Sequence, residues 1–203
     1  MELAAPDDGR NGLGKPWPVA TGAATFKAMK FAYADPPYLG CAIKLYGKFH
    51  PEAAVYDTVK GHRDLVDRLV DEFPDGWALS AGSNNLKTIL RLCPKDVRTG
   101  AWVKPFHAWV KPGQSIAYAW EPVIWRGGRK RPKSYLMIRD FVAVNICCPQ
   151  IYPGQKPEEF SFWVFALLGA EPEDDFVDLF PGSGAVQKAW EQWKRIGSFE
   201  YDR

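Results

Sequence analysis

Lys30-Phe31-Ala32-Tyr33-Ala34-Asp35-Pro36-Pro37-Tyr38 decides how the rest of the chain is read. The apolar run up to Ala34 is a buried strand, and two successive prolines stop it, because they give the ladder no donor and hold the preceding residue extended. Over 58–73, Val59, Leu65, Val66, Leu69, Val70 and Phe73 recur at helical spacing opposite Arg63, Asp64, Asp67, Arg68 and Asp71. Pro74-Asp75-Gly76 ends that amphipathic helix, Trp77 to Ala81 reads as the next buried strand, and Ser83-Asn84-Asn85 caps a helix through Arg91.

The aromatic and β-branched stretch 100–125, broken by Pro105 and Lys111-Pro112-Gly113, predicts two strands in a hairpin at a sheet edge. Lys156-Pro157-Glu158-Glu159 opens a helix with proline early and acids in the first turn, and Gly169 closes it. A strand over 176–180, a Gly-rich turn and a helix from Ala185 to about Arg195 follow. This order predicts an α/β fold: a three-layer sandwich with a mostly parallel, Rossmann-like sheet, helices on both faces and one antiparallel edge hairpin.

With 203 residues and 46% hydrophobic content, the chain is long enough for one domain with a substantial core. Residues 1–25, rich in Gly, Pro and Ala, read as an irregular arm before a domain spanning 26–203. Met1 to Lys15 lack the apolar core of a secretory signal, and the apolar stretch 160–170 falls short of the ~20 residues that span a bilayer. A cytoplasmic protein is expected. Cys41, Cys93, Cys147 and Cys148 have neither CxxC pairing nor the density of a disulfide scaffold, and Cys41, His50 and His62 lack zinc-ligand spacing, so no metal is expected. His62 and His107 have no identifiable nucleophile partner and read as structural or surface residues.

Asp35-Pro36-Pro37-Tyr38 resembles the catalytic loop of the amino-methyltransferases of nucleic-acid bases, Asp/Asn/Ser-Pro-Pro-Tyr/Phe/Trp after a strand. An exocyclic amine is a poor nucleophile because its lone pair is delocalised into the ring, so acceptors on its N–H groups must favour the pyramidal form that attacks a sulfonium methyl. The resemblance makes the Asp35 carboxylate and the Pro36 carbonyl those acceptors, with Pro37 holding the geometry and Tyr38 stacking on a base rotated out of the duplex. Asp178-Leu179-Phe180-Pro181-Gly182-Ser183-Gly184 resembles the same family's cofactor motif, Asp-x-Phe-x-Gly-Ser-Gly. It implies S-adenosylmethionine as cofactor, held by Asp178, Phe180, Gly182, Ser183 and Gly184, with Asp35 at its edge. No Gly-Lys-Ser/Thr follows, which argues against a phosphate loop.

The catalytic motif precedes the cofactor motif, as in the permuted β group of DNA amino-methyltransferases, and Lys156-Pro157 before a helix fits that arrangement. Asp with Tyr in the tetrapeptide favours adenine N6 in double-stranded DNA. RNA, cytosine N4, and a non-catalytic nucleic-acid-binding homologue are the alternatives, and the chain is expected as a monomer or homodimer. In the family a further strand carries an acid for the ribose hydroxyls, and here Glu200, then Asp202, stands nearest to that place. The target-recognition region reduces to about 125–155, where Arg126, Arg129, Lys130, Arg131 and Lys133 flank Gly127 and Gly128 as a basic loop suited to phosphate contact, with Trp125 beside it to stack a base. The formal net charge of +2 adds little, since a local patch outweighs the total. The 39–56 segment, with Lys44 and Lys48, is expected to be a flap over the flipped base.

Overall fold

Strand β1 (Lys30–Ala34) turns Phe31 and Tyr33 to one face of a sheet and Ala32 and Ala34 to the other, the period of two that a doubly covered strand requires. A computed structural model describes residues 27–47, 52–106, 113, 115–130, 137–146 and 155–201, without the side chains of Leu45 and of 197–201. The expected arm at 1–25, and His50, His107, Arg131, Lys133, Cys147, Cys148, Lys48 and Asp202, lie outside the described residues or their side chains.

Five more strands complete the sheet: β2 (Gly76–Ser80), β3 (Arg98–Val103), β4 (Trp120–Gly127), β5 (Phe141–Ala143) and β6 (Asp175–Asp178). Their order is β5-β3-β4-β2-β1-β6. The β1–β2, β1–β6 and β3–β5 pairs are parallel, and β4 alone runs against the rest, antiparallel to β2 and β3.

Helices α5 (Glu158–Leu168) and α6 (Ala185–Tyr201) cover the face that carries Phe31, Tyr33, Val123 and Phe176. Helices α3 (Val59–Glu72) and α4 (Leu86–Leu90) cover the face that carries Ala32, Trp77, Leu79 and Ile124. The expected three-layer α/β sandwich is the observed one. Two short helices, α1 (Ala42–Tyr46) and α2 (Ala53–Tyr56), occupy the segment between β1 and α3.

Local chemistry accounts for the helix ends. The Thr58 hydroxyl accepts from Gly61 N at 3.0 Å and starts α3, which buries Leu65, Val66 and Leu69, each worth about 1.5–3 kcal/mol against the sheet. Gly169 terminates α5 at φ 65°, the left-handed cap that the sequence predicts. Helix α5 is apolar nearly all round because it lies between sheet and α6, where Phe165 meets Phe176 and Trp190 edge-on at 4.7 and 5.2 Å.

Two expectations are corrected. The β3–β4 hairpin is not the sheet edge: β5 pairs with β3 beyond it, and the Trp102 indole donates to Val144 O at 2.8 Å to hold it there. A three-residue strand is too short to leave an alternation in the sequence. Helix α6 does not stop near Arg195 but runs to Tyr201, since no proline intervenes and one glycine in a helix costs only about 1 kcal/mol.

Candidate active site

The carboxyl ends of β1, β2, β3, β5 and β6 point the same way, and the antiparallel β4 begins where they end. Asp35 follows β1, Ser80 closes β2, Lys104 follows β3, Glu121 is the second residue of β4 and Asp178 closes β6. Lys156, just ahead of α5, is buried among them. A cleft of about 470 Å³ opens at this end, with Asp35, Pro37, Lys156, Asp178 and Phe180 in its walls. Ligands of open α/β sheets bind at such ends, where connections leave toward opposite faces.

Asp35 Oδ2 lies 3.0 Å from Lys156 Nζ, and Oδ1 accepts from the Tyr38 hydroxyl at 3.3 Å. That hydroxyl donates more closely to Glu121 Oε2, at 2.8 Å. Glu121 also takes Lys156 at 3.1 Å and, on its other oxygen, Lys104. Tyr38 is therefore anchored at its hydroxyl, and its ring packs on Gly82, where an added Cβ would come within 3.4 Å. Pro36 is buried behind the loop.

Burial pushes the Asp35 carboxyl up from its ordinary value against the pull of Lys156, and the Glu121 charge adds to the rise. Burial also works to raise Glu121, but Lys156 and Lys104 together overcome it and hold its carboxyl down at about 2. For Lys156, burial favours the neutral amine, and the Asp35 and Glu121 carboxylates outweigh it, keeping the ammonium charged well above the usual lysine range.

On the neighbouring strand, Phe180 N donates to Asp178 Oδ1 at 3.1 Å, while Oδ2 is buried with no hydrogen-bond partner among the described residues. Burial pushes the Asp178 carboxyl up to about 6. Gly182 (φ 44°) and Gly184 (φ 73°) both adopt the left-handed region as the loop turns into α6, and Gly184 has open space where a Cβ would stand, so conformation rather than crowding calls for glycine there. Phe180, Gly182 and Ser183 line the cleft, and Tyr56 of α2 packs edge-on against Phe180 at 5.2 Å. The structure thus brings Asp35, Pro37, Asp178, Phe180, Gly182 and Ser183 to one cleft.

The remaining sequence-based residues separate. Trp125, expected to stack a base, is only 4% exposed and packs in the core on the α5 face, because the β4 alternation turns it inward. Arg129, expected on phosphate, is largely buried instead: Nη2 meets Asp174 Oδ1 at 2.5 Å and Nε donates to Gly169 O at 3.2 Å. Arg126 pairs with Asp96 at 2.9 Å on the surface, and Lys130 is exposed. Glu200 lies on α6, not at a strand end; at 1.5 Å per residue its backbone is about 22 Å along the helix from Ala185 at the cleft. The start of the 39–56 segment is tied down, with Asp57 accepting from Ala42 N and Ile43 N at 2.8 and 2.9 Å and Asn85 donating to Leu39 O at 2.6 Å; residues 48–51 lie outside the described ones.

Sequence reasoning missed Glu121, left Lys104 out of the site and took Lys156 as the start of a helix that fits the family's arrangement, not as a site residue. The available signal was a lone charge at each point inside an aromatic or apolar setting, Trp102-Val103-Lys104, Trp120-Glu121-Pro122 and Lys156-Pro157. Side chains of this kind are almost never fully buried unless paired.

No protein-family model and no curated protein match this chain. Among solved structures, the M1.HpyAVI-SAM complex superposes with a TM-score of 0.56 at 13% identity, over 82% of this chain and 79% of that one. A second structure of M1.HpyAVI gives 0.51 at 13% identity, over 82% and 77%. At such identity the likeness is one of fold, and it is the mixed α/β sheet with helices on both faces that this chain shares with the M1.HpyAVI structures.

Proposed function

We propose that this chain is an S-adenosylmethionine-dependent methyltransferase that modifies adenine N6 in duplex DNA. The observation that carries the reading is the meeting of Asp35 and Asp178 at adjacent strand ends in one cleft, with Asp178 Oδ2 buried and unpartnered among the described residues. A buried carboxylate oxygen without a donor is costly unless a ligand supplies one. The amino group of S-adenosylmethionine is a donor of the right charge, and the Gly182–Gly184 turn lets backbone approach the amino-acid portion closely. M1.HpyAVI, with the same fold, is a SAM complex in one of its structures.

Bound there, S-adenosylmethionine supplies an electrophilic methyl group. Asp178 orients the amino-acid end, and Phe180 with Tyr56 forms an apolar wall beside it. Asp35 and the Pro36 carbonyl accept the N–H groups of the target amine and restore nucleophilic character to its nitrogen. The two prolines fix these acceptors before substrate arrives. Tyr38 does not line the cleft, and its hydroxyl is held by Glu121, so its part in the site is to brace the Asp35 loop rather than to offer a free ring. The choice of adenine N6 rests on the Asp-Pro-Pro-Tyr resemblance. Arg126 and Lys130 stand at and beyond the end of β4 that pairs with Gly76 at the start of β2, at the opposite end of the sheet from the cleft, and are not proposed as duplex contacts.

The test is transfer of a tritiated methyl group from S-adenosylmethionine to unmethylated duplex DNA, with digestion to nucleosides. Label in N6-methyladenine is expected. Label in N4-methylcytosine or in RNA would move the target, and no label on any nucleic acid would remove the reading.

A further inference from the structure

Four charged side chains from four separate segments meet at the floor of the cleft, and their charges balance: Asp35 and Glu121 against Lys104 and Lys156. Their side chains are 21, 19, 10 and 5% exposed respectively. Trp102 lies beneath both ammonium groups, 4.5 Å from Lys104 and 5.1 Å from Lys156. Replacing a buried ion network by apolar side chains is often neutral or stabilising, so folding alone gives little reason to keep one here.

The geometry gives Glu121 a distinct place in it. Asp35 and Glu121 share the same two donors, Lys156 and the Tyr38 hydroxyl. The hydroxyl has one proton, and at 2.8 Å from Glu121 against 3.3 Å from Asp35 it is committed to Glu121. Lys156 is divided nearly evenly, 3.1 Å from Glu121 and 3.0 Å from Asp35. Asp35 lines the cleft, and Glu121 acts from behind it.

We propose that Glu121 is a positioning residue for Asp35: by holding the Tyr38 hydroxyl and sharing Lys156, it fixes the Asp35 side chain and leaves it acceptor capacity for a ligand N–H. Without the Glu121 charge, Lys156 has one carboxylate partner in place of two, and both donors close on Asp35. The kinetic part of this inference rests on the methyl-transfer reading; the electrostatic part does not. The groups that face Asp35 are Lys156 ahead of α5, Glu121 on β4, Tyr38 on its own loop, Tyr33 on β1, Tyr46 on α1 and Asp178 on β6. Of these, Glu121 raises the Asp35 carboxyl and Lys156 lowers it, so neutralising Glu121 moves Asp35 downward.

The experiment compares the full chain with Glu121→Gln and Glu121→Asp by carbon-13 titration of the Asp35 carboxyl without substrate, then by steady-state methyl transfer across pH. In Glu121→Gln the Asp35 titration moves to lower pH, kcat falls about tenfold, the scale of one charge-assisted contact, and the acid limb of kcat moves to lower pH. The KM values change by less than about twofold, since no substrate contact is removed. Glu121→Asp restores part of both effects, and it carries the test by itself if Glu121→Gln fails to fold. An Asp35 titration that stays where it is in the folded variants, or an unchanged kcat, overturns the proposal. If the wild-type chain methylates no nucleic acid while the Asp35 titration still moves, the coupling of the two carboxylates stands and the methyl-transfer reading falls.

Discussion

Tyr33 and Asp178 are register partners on the adjacent parallel strands β1 and β6. That pairing brings together two motifs far apart in the chain: two residues beyond Tyr33 stands Asp35, and Leu179 N donates to Tyr33 O at 2.9 Å as the second motif leaves the sheet. A slip of one residue would turn Asp178 to the opposite face of the sheet. The cleft therefore depends on Phe31 and Phe176, which pair in the same register and bury on the α5 face.

Replacing Asp35 by alanine is expected to abolish detectable methyl transfer, a loss of at least roughly 10²–10³ in kcat, the scale seen when one preorganised group is removed from a developing charge. Lys156 keeps Glu121 as partner, so the variant stays folded, with a loss of about 1–2 kcal/mol. Methyl-transfer rates and thermal melting of the same preparation check both halves. A variant that unfolds would place Asp35 in the structural frame instead.

Asp178 yields a prediction with opposite signs for stability and ligand binding. Its folded-state carboxyl is pushed up to about 6 from 3.8, so between those values the folded chain binds more protons than the unfolded one and its stability falls as pH rises. Above pH 6 the buried charge costs about 3 kcal/mol at most. Asp178→Asn is expected to raise the melting temperature at pH 8 and to weaken S-adenosylmethionine binding in calorimetry. Affinity of the unaltered chain for the cofactor should also fall as pH drops through 6. Equal affinity in the variant would remove Asp178 from the cofactor site.

Much of the layered fold was legible because its elements are long or sharply punctuated: α3 through its apolar spacing, α5 through Pro157 and Gly169, and β1 through its two prolines. The two motifs could be placed at strand ends for the same reason. The ion network could not, since Glu121, Lys104 and Lys156 belong to segments whose meeting depends on β4 running against the other strands. Trp125 and Arg129 misled in a different way. A basic, aromatic stretch has the same composition whether its side chains meet solvent or the interior, and here the β4 alternation and Asp174 turned these two inward.

Glu200 offers a direct test of where α6 ends. The helix continues through Tyr201, which sets Glu200 several turns from the Gly182–Gly184 loop. Glu200→Ala is expected to leave S-adenosylmethionine affinity within about twofold of the unaltered chain, since no contact to the cleft is removed. A tenfold loss would mean that the chain beyond Arg195 turns back toward the cofactor.

Arg129 and Lys130 are neighbours in sequence with different expected phenotypes. Arg129 closes a buried pair with Asp174, whose side chain is fully buried and also accepts from Met29 N and Glu171 N at 2.8 and 2.7 Å. Arg129→Ala leaves that carboxylate without its cation, and a loss of about 3 kcal/mol in urea unfolding is expected. Lys130 is exposed beyond the end of β4, so Lys130→Ala should leave unfolding unchanged. On duplex DNA, Lys130→Ala should leave affinity and the slope of log K against log salt unchanged, since Lys130 stands at the end of the sheet away from the cleft. If Arg129→Ala changes the salt slope without changing stability, the buried pair is not what holds this arginine and the basic-loop expectation for it returns.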